Sequence, residues 1–369
     1  MIILISHYGN NKGTTDYFRD YLTSKGQSYI YIRNSLPNLE KQETIVSEFD
    51  GDGLEKVIKI KKTSKNFLIN SIQTTLYSFS FSLKSLQGKD NLIISFGSVN
   101  ALPIIFLKLF KRVNLYFWGV DYSTKRFNQY ILDRFYQLTE SLACVFSDLV
   151  IQPNIEQQNA RIANNFLKLN KSLIVSNGIT KIEENLNPVN RPISFLYFGS
   201  ITQQHGICEF VKEVYINMRC EIPLLIFGGG VKSKELTDII YCNKLGNKIL
   251  FLGSTDNLSM VKYILTESKS FVGISPYLVE GSSDHVKYGD SLKVKEYLAL
   301  SIPYITSSVA PIPSDLKEFG FVYTNYKELC NYITEQNLKK LIKKSQTANL
   351  NSTLHKYLWS ELCKKIPLN

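Results

Sequence analysis

Four stretches of the chain combine small residues with a titratable side chain at the junction between an apolar run and an amphipathic one. This is the combination from which anion sites and proton-transfer sites are built. The first is Ser6-His7-Tyr8-Gly9-Asn10-Asn11-Lys12-Gly13-Thr14. Its glycines let a backbone come close to a ligand, and the amides of the helix that follows attract anions. A sharp turn accounts for Gly9 and Gly13 equally well, and the spacing is not the G-x-G-x-x-G of a dinucleotide site. The second is Trp118-Gly119-Val120-Asp121, with Arg126 five residues on. Asp121 suits either a general base or a helix N-cap, and Arg126 either an anion contact or an ordinary exposed arginine. The third runs from Tyr197-Phe198-Gly199-Ser200-Ile201 to His205-Gly206. Its amides can cradle a diphosphate with His205 as a cationic contact, although a lone histidine at a helix start is commonly a plain surface residue. The fourth joins Ser275-Pro276-Tyr277 to Ser291-Leu292-Lys293 and Glu296. Lys293 and Glu296 are three apart and share a helix face, which as a bare pattern is an ordinary surface ion pair.

These loops must be positioned by the elements around them. Strand-like apolar runs are expected at 2–6, 28–32, 91–96, 114–118, 149–152 and 172–175, with helical patterns at 14–25, 67–86, 99–111, 127–146 and 155–167. An Asn, Glu and Pro-rich break at 177–191 reads as a linker. The alternation then restarts, with strands expected at 193–198, 223–227, 248–252, 270–273, 303–306 and 321–323. Near-continuous Val, Ile and Leu in strands that alternate with helices is the pattern of parallel sheets covered on both faces. The fold class is therefore α/β, with two Rossmann-like doubly wound domains facing across a cleft, and ligands of such sheets sit at the carboxyl ends of the strands. The expected division is 1–180, 181–345 and a closing helical segment, 346–369.

In their order these segments resemble a GT-B-fold nucleotide-sugar glycosyltransferase, similar to glycosyltransferase family 4, over nearly the whole chain. Val175-Ser176-Asn177-Gly178 resembles the strand end that closes the family's first domain, and Phe198-Gly199-Ser200 through His205-Gly206 the opening of its donor domain. Leu224 to Gly230 and Ile249 to Gly253 resemble the next two strands of that domain. Ser291-Leu292-Lys293 through Glu296-Tyr297-Leu298-Ala299, with Ile302-Pro303-Tyr304-Ile305, resembles the donor-binding helix and the strand after it. Trp359 resembles the aromatic of a last helix that crosses back to the first domain. Two departures stand out: Tyr288 occupies the place of the first Glu of the family's paired glutamates, and Ser200 and His205 stand where Arg and Lys usually grip the diphosphate.

The resemblance implies a Leloir-type hexosyltransferase acting on a glycan or lipid-linked acceptor in bacterial-type surface polysaccharide synthesis. It implies a donor site of Gly199, Ser200, His205, Ser275, Tyr277, Ser291, Lys293 and Glu296, with Glu296 on the ribose and Lys293 on the phosphates or the sugar. The acceptor side would hold Gly9, Lys12, Gly13 and Arg126, and the catalytic set Asp121, His7 and Lys293, with His7 or Asp121 as base for an inverting reaction. The donor is expected to be a nucleotide sugar, a UDP-sugar among the candidates, with no other cofactor and no metal. The alternative is a nucleotide-sugar-binding module without turnover.

Composition bounds the rest. With 44% hydrophobic residues, 22 Tyr and 21 Phe, the chain can fill large cores and is not disordered. Six scattered cysteines form no C-x-x-C pair and read as reduced core fillers. The net charge of +11 is shared by both halves and accompanies no recognition motif, which argues against nucleic acid and for an anionic ligand or phospholipid surface. A lysine cluster, Lys56, Lys59, Lys61, Lys62 and Lys65, precedes an aromatic helix and reads either as a membrane-surface patch or as a solvated charge run. The longest apolar run, 101–107, is far short of the roughly 20 residues of a membrane span, and the start of the chain reads as a strand, so the expected place is the cytoplasm, peripheral at the inner face of the plasma membrane.

Overall fold

The computed structural model describes residues 1–7, 13–35, 43–86, 91–127, 129–183, 187, 191–255, 260, 263–264, 266–267, 269–279, 281, 283–346 and 348–368. Gly9 and Lys12 lie outside the described residues. The chain divides into two units, Met1–Asn177 with Leu362–Asn369, and Gly178–Glu361.

The first unit is built on β1 (Ile2–His7), β2 (Tyr29–Asn34), β3 (Glu43–Phe49), β4 (Glu55–Lys62), β5 (Leu92–Phe96), β6 (Asn114–Trp118), β7 (Leu149–Gln152) and β8 (Ser172–Ile174). They form one sheet in the order β4-β3-β2-β1-β5-β6-β7-β8. Strands β2, β1, β5, β6, β7 and β8 are parallel. β1 and β5 are buried almost throughout, because their Ile and Leu runs meet side chains on both faces. One face packs with Tyr77, Ala101, Ile104, Leu107 and Ala143 from three helices. On the other, Phe18 of the helix Thr14–Ser24 meets Trp118 edge-on at 5.5 Å, and Trp118 stacks on Phe96 at 5.0 Å. Each such fully buried side chain is worth about 1.5–3 kcal/mol.

The expectation of a purely parallel sheet is corrected at one edge. β3 pairs antiparallel with both β2 and β4, so the segment that reads as a charge run is a hairpin. Lys56, Lys59, Lys61 and Lys62 stand on β4, every residue of which is exposed. Lysine-rich edge strands are a common way of keeping an open sheet edge from pairing with other chains. The hairpin turn holds the Asp-x-Asp triplet Asp50-Gly51-Asp52, where one Asp50 carboxylate oxygen accepts from the Asp52 and Leu54 amides at 3.0 and 2.9 Å.

The second unit holds β9 (Ile193–Phe198), β10 (Leu224–Phe227), β11 (Ile249–Phe251), β12 (Ser270–Ser275), β13 (Tyr304–Ser307) and β14 (Gly320–Tyr323). The order is β11-β10-β9-β12-β13-β14, all parallel. The chain winds outward from β9 in one direction and from β12 in the other. The carboxyl ends of these two neighbours are therefore the switch point, where loops diverge and leave a crevice.

Candidate functional site

At the switch point of the second unit, β9 delivers Gly199 and the turn that ends in His205, while β12 delivers Pro276 and Tyr277. The helix Leu292–Ala299 lies beside them. Its Tyr297 is fully buried, with the hydroxyl 3.0 and 2.9 Å from the Leu196 and Ile274 carbonyls and accepting from the Phe198 amide at 3.3 Å. One side chain thus ties the helix to both strands of the switch. The helix start is fixed by an ion pair that the sequence reading missed. Lys295 Nζ donates to both carboxylate oxygens of Asp290, at 2.7 and 2.6 Å, and the two side chains are 0% and 3% exposed. The Lys295 ammonium also lies 5.1 Å from the centre of the Tyr357 ring.

This scaffold aims Lys293 into the loop after β9. A Cβ added to Gly199, at φ +130°, would stand 2.6 Å from Lys293 Cε and 3.1 Å from Nζ, so the lysine occupies the space a side chain would need. Nζ donates to the Tyr197 hydroxyl at 3.3 Å and lies 4.7 and 5.3 Å from the Tyr197 and Tyr277 ring centres. The pairing of Lys293 with Glu296 is not the surface salt bridge that the bare spacing suggests. Both are half-buried, and they interact electrostatically without ion-pair contact among the described residues. Burial, the larger effect on each, pulls the Lys293 ammonium down to about 7 and pushes the Glu296 carboxyl up to about 7. Two partly desolvated groups at one sheet edge, without an ion pair between them, make this a candidate place for a ligand.

The turn after β9 needs Gly206, at φ +63°, because a Cβ there would stand 1.8 Å from the Pro276 carbonyl oxygen. The loops are also joined by the Leu278 amide donating to the Gln204 carbonyl at 3.2 Å, and by a hydrogen bond between Ser283 and Gln204 side chains. His205 is not the cation expected from sequence. Its Nδ1 is 2.9 Å from the Thr202 hydroxyl, and burial, then the charges of Lys293 and His285, lower its pKa to about 3. The ring is neutral, and with the Thr202 hydroxyl donating to Nδ1 its Nε2–H remains a donor. Ser200 is exposed and contributes its carbonyl, which accepts from Tyr197 at 2.6 Å. Ser275 and Ser291 are buried beside the Tyr277 hydroxyl.

In the first unit the switch point lies between β1 and β5. Gly13 precedes the helix Thr14–Ser24, but its amide donates to the Asp16 carboxylate at 2.9 Å, which already occupies the place an anion would take. His7 ends β1, and burial, followed by the Arg126 charge, lowers its pKa to about 4, so it too is neutral. Asp121 is no N-cap, since the next helix begins at Tyr130. Its carboxylate accepts from Arg126 at 2.8 Å, and Arg126 also donates to the Tyr136 hydroxyl at 3.2 Å, so the arginine expected to hold a ligand holds its own neighbours. Behind Asp121 lies Arg161, fully buried, which sequence reasoning did not single out. It donates to Glu140 at 3.0 Å, to Gln157 at 2.6 Å and to the Asp121 backbone carbonyl at 2.9 Å. Gly119 is required beside it, since a Cβ would stand 2.4 Å from its guanidinium.

No protein-family model matches the chain, and no curated protein matches it by sequence. Solved structures match it over nearly its whole length. Sucrose-phosphate synthase from Thermosynechococcus elongatus is 15% identical, with 99% of this chain and 96% of that one covered and a TM-score of 0.71. A glycosyltransferase from Rickettsia africae is 15% identical over 99% and 96%, with a TM-score of 0.68. HepE of Anabaena in complex with UDP-glucose is 14% identical over 99% and 97%, with a TM-score of 0.67. The chain has the GT-B fold of nucleotide-sugar glycosyltransferases.

Proposed function

We propose that the protein is a hexosyltransferase-type glycosyltransferase, close to family 4, that moves a sugar from a nucleoside-diphosphate sugar to a glycan or lipid-linked acceptor in bacterial-type surface polysaccharide synthesis. The observation that carries this reading is Lys293, desolvated over Gly199 between two tyrosine rings, with Glu296 on the same helix face. A leaving nucleoside diphosphate gathers negative charge as the sugar bond breaks. An ammonium already partly withdrawn from water, with a neutral His205 donor and loop amides, stabilises that charge with little reorganisation. This would serve in place of a metal ion. Glu296 is assigned to the ribose hydroxyls. Gly199, Ser275, Tyr277 and Ser291 shape the loop edge, and Ser200 is assigned to it through its backbone.

On the first unit the proposed proton acceptor is His7, whose neutral ring has a lone pair to offer, whereas Asp121 is committed to Arg126. The likeness to HepE, solved with UDP-glucose, and to TarM, solved with UDP and α-GlcNAc-glycerol, supports a UDP-sugar as the first donor to try.

A thermal-shift series with UDP, GDP, ADP and TDP tests the donor site, because a ligand at 100 times its dissociation constant adds about 2.7 kcal/mol. The expected result is a shift with one of them, lost in Lys293→Met, and release of that diphosphate from its sugar donor. Absence of a shift with all four overturns the reading, and binding without release under varied acceptors favours a module without turnover.

A further inference from the structure

The helix Phe67–Ser85 packs one face on the first sheet and turns another to solvent, and the outward face carries an apolar row beside the exposed Gln73 and Ser80. Ile69, Ile72 and Leu76 are 49%, 60% and 62% exposed at helical spacing. Beside them, Lys59 and Lys61 reach from β4 over the ring of Tyr77, with ammonium-to-centre distances of 5.6 and 5.3 Å. With Lys84 and the walls Leu76, Tyr77, Ser80 and Phe81 they enclose a cavity of about 230 Å³ that no carboxylate lines. The apolar face continues through Phe79, which meets Phe110 edge-on at 6.5 Å. Phe106, Leu109 and Phe110 are 54%, 75% and 70% exposed, and the exposed Lys111 and Arg112 follow them.

We propose that this face docks the first unit on an anionic phospholipid surface, with a headgroup phosphate held between Lys59, Lys61 and Lys84 and the apolar side chains at the acyl boundary. Cations ringing an apolar stripe complement a surface that is negative at the headgroups and oily just beneath, which is how in-plane helices bind membranes. The two exposed lysines hold their ammonium groups over the face of the Tyr77 ring, a cation–π placement that keeps the charge at the edge of the apolar stripe. Among the described residues no helix is long and apolar enough to cross a membrane, so contact of this kind is in the plane of the surface. The face belongs to the first unit and Lys293 and Glu296 to the second, and the proposal stands whether or not the donor reading does.

Co-sedimentation with vesicles of phosphatidylcholine alone, and with about one-third phosphatidylglycerol, tests it at low and high salt. The expected result is binding to the anionic vesicles only, weakened by salt. Neutralising the pocket (Lys59→Gln, Lys61→Gln, Lys84→Gln) should weaken it roughly a hundredfold. Removing apolar contacts (Leu76→Ser, Phe110→Ser) should weaken it about tenfold or more. A control with the same charge change on the second unit (Lys340→Gln, Lys343→Gln, Lys344→Gln) should stay within about twofold. All these positions are exposed. Equal losses in the pocket and control variants, or no binding to anionic vesicles, would overturn the proposal. So would a dimer in solution that the Leu76→Ser, Phe110→Ser change dissolves, since a second copy would then be the occupant.

Discussion

Burial, more than charge, sets the chemistry of single residues here. His205 stands where a lysine would carry a fixed charge, yet its ring is held neutral by its surroundings. The chain has only four histidines, so each ring is resolvable by proton NMR. The expectation is that His205 stays neutral down to about pH 4, against an ordinary midpoint of about 6.5. A midpoint near the ordinary value would return it to the role of a cation. Glu296 carries the opposite burden, since its carboxyl is raised to about 7 in the folded protein from an ordinary 4.5. The unfolded state gives up that proton more readily at neutral pH, so the native side chain costs stability above about pH 4.5. Glu296→Gln should therefore raise stability by on the order of 1–3 kcal/mol at pH 7.5 while weakening nucleotide binding. Urea melts and nucleotide titrations on the same preparation read both, and a fall in stability would contradict it.

At the scale of elements, the Asp290–Lys295 pair holds the helix Leu292–Ala299 at its start. Lys295→Met leaves a buried carboxylate without its cation and should cost about 3–5 kcal/mol, with Asp290→Asn in the same chain restoring part of it. Denaturant midpoints measure both, and a cost below about 1 kcal/mol would show the pair to be dispensable. Neither residue announces itself in the sequence, because Asp290 lies before the helix and five residues from its partner, outside the spacing that places two side chains on one face. Tyr197 and Tyr297 are equally hidden as packing residues: among 22 tyrosines composition marks neither, whereas Tyr277 was a candidate through the resemblance. The parallel strands and their helices were legible from apolar periodicity, for the runs of Ile, Leu and Val in β1, β5 and β9 have few other uses. The β3–β4 hairpin was not. Its outer strand alternates lysine with Val and Ile on two exposed faces, so the period-2 signal separates no inside from outside. Lys293 and Glu296 were legible as candidates, but the partial burial of both is brought about by the fold, which sets Lys293 against the Tyr197 and Tyr277 rings.

For the whole molecule, the two histidines kept neutral by burial set the response to acid. His7 and His205 have native pKa values of about 4 and about 3, below the ordinary 6.5. Below pH 6.5 the unfolded chain takes up protons that the native protein refuses. Stability is therefore lost as pH falls from about 6.5 to about 4, by up to about 2.7 kcal/mol per pH unit from the two together, of which Glu296, protonated in the native state over much of the same range, offsets about 1.4 above about pH 4.5. Urea midpoints at pH 7 and 5 should show this slope, and it should flatten in the His7→Asn, His205→Asn variant. An unchanged slope would assign the acid response to carboxylates.

The division of the chain sets a further constraint, on the timing of synthesis. The first unit comprises Met1–Asn177 and the segment from Leu362 onward, where Leu362, Cys363 and Ile366 are buried. A ribosome that has passed Asn177 must make the whole second unit before those side chains exist. At about 5–20 residues per second, that is a wait on the order of ten to forty seconds. The unit begun first is thus completed last, and for that interval its nascent form lacks these three apolar side chains. That interval is when a holdase, or a neighbouring chain on the same message, has its opportunity to bind.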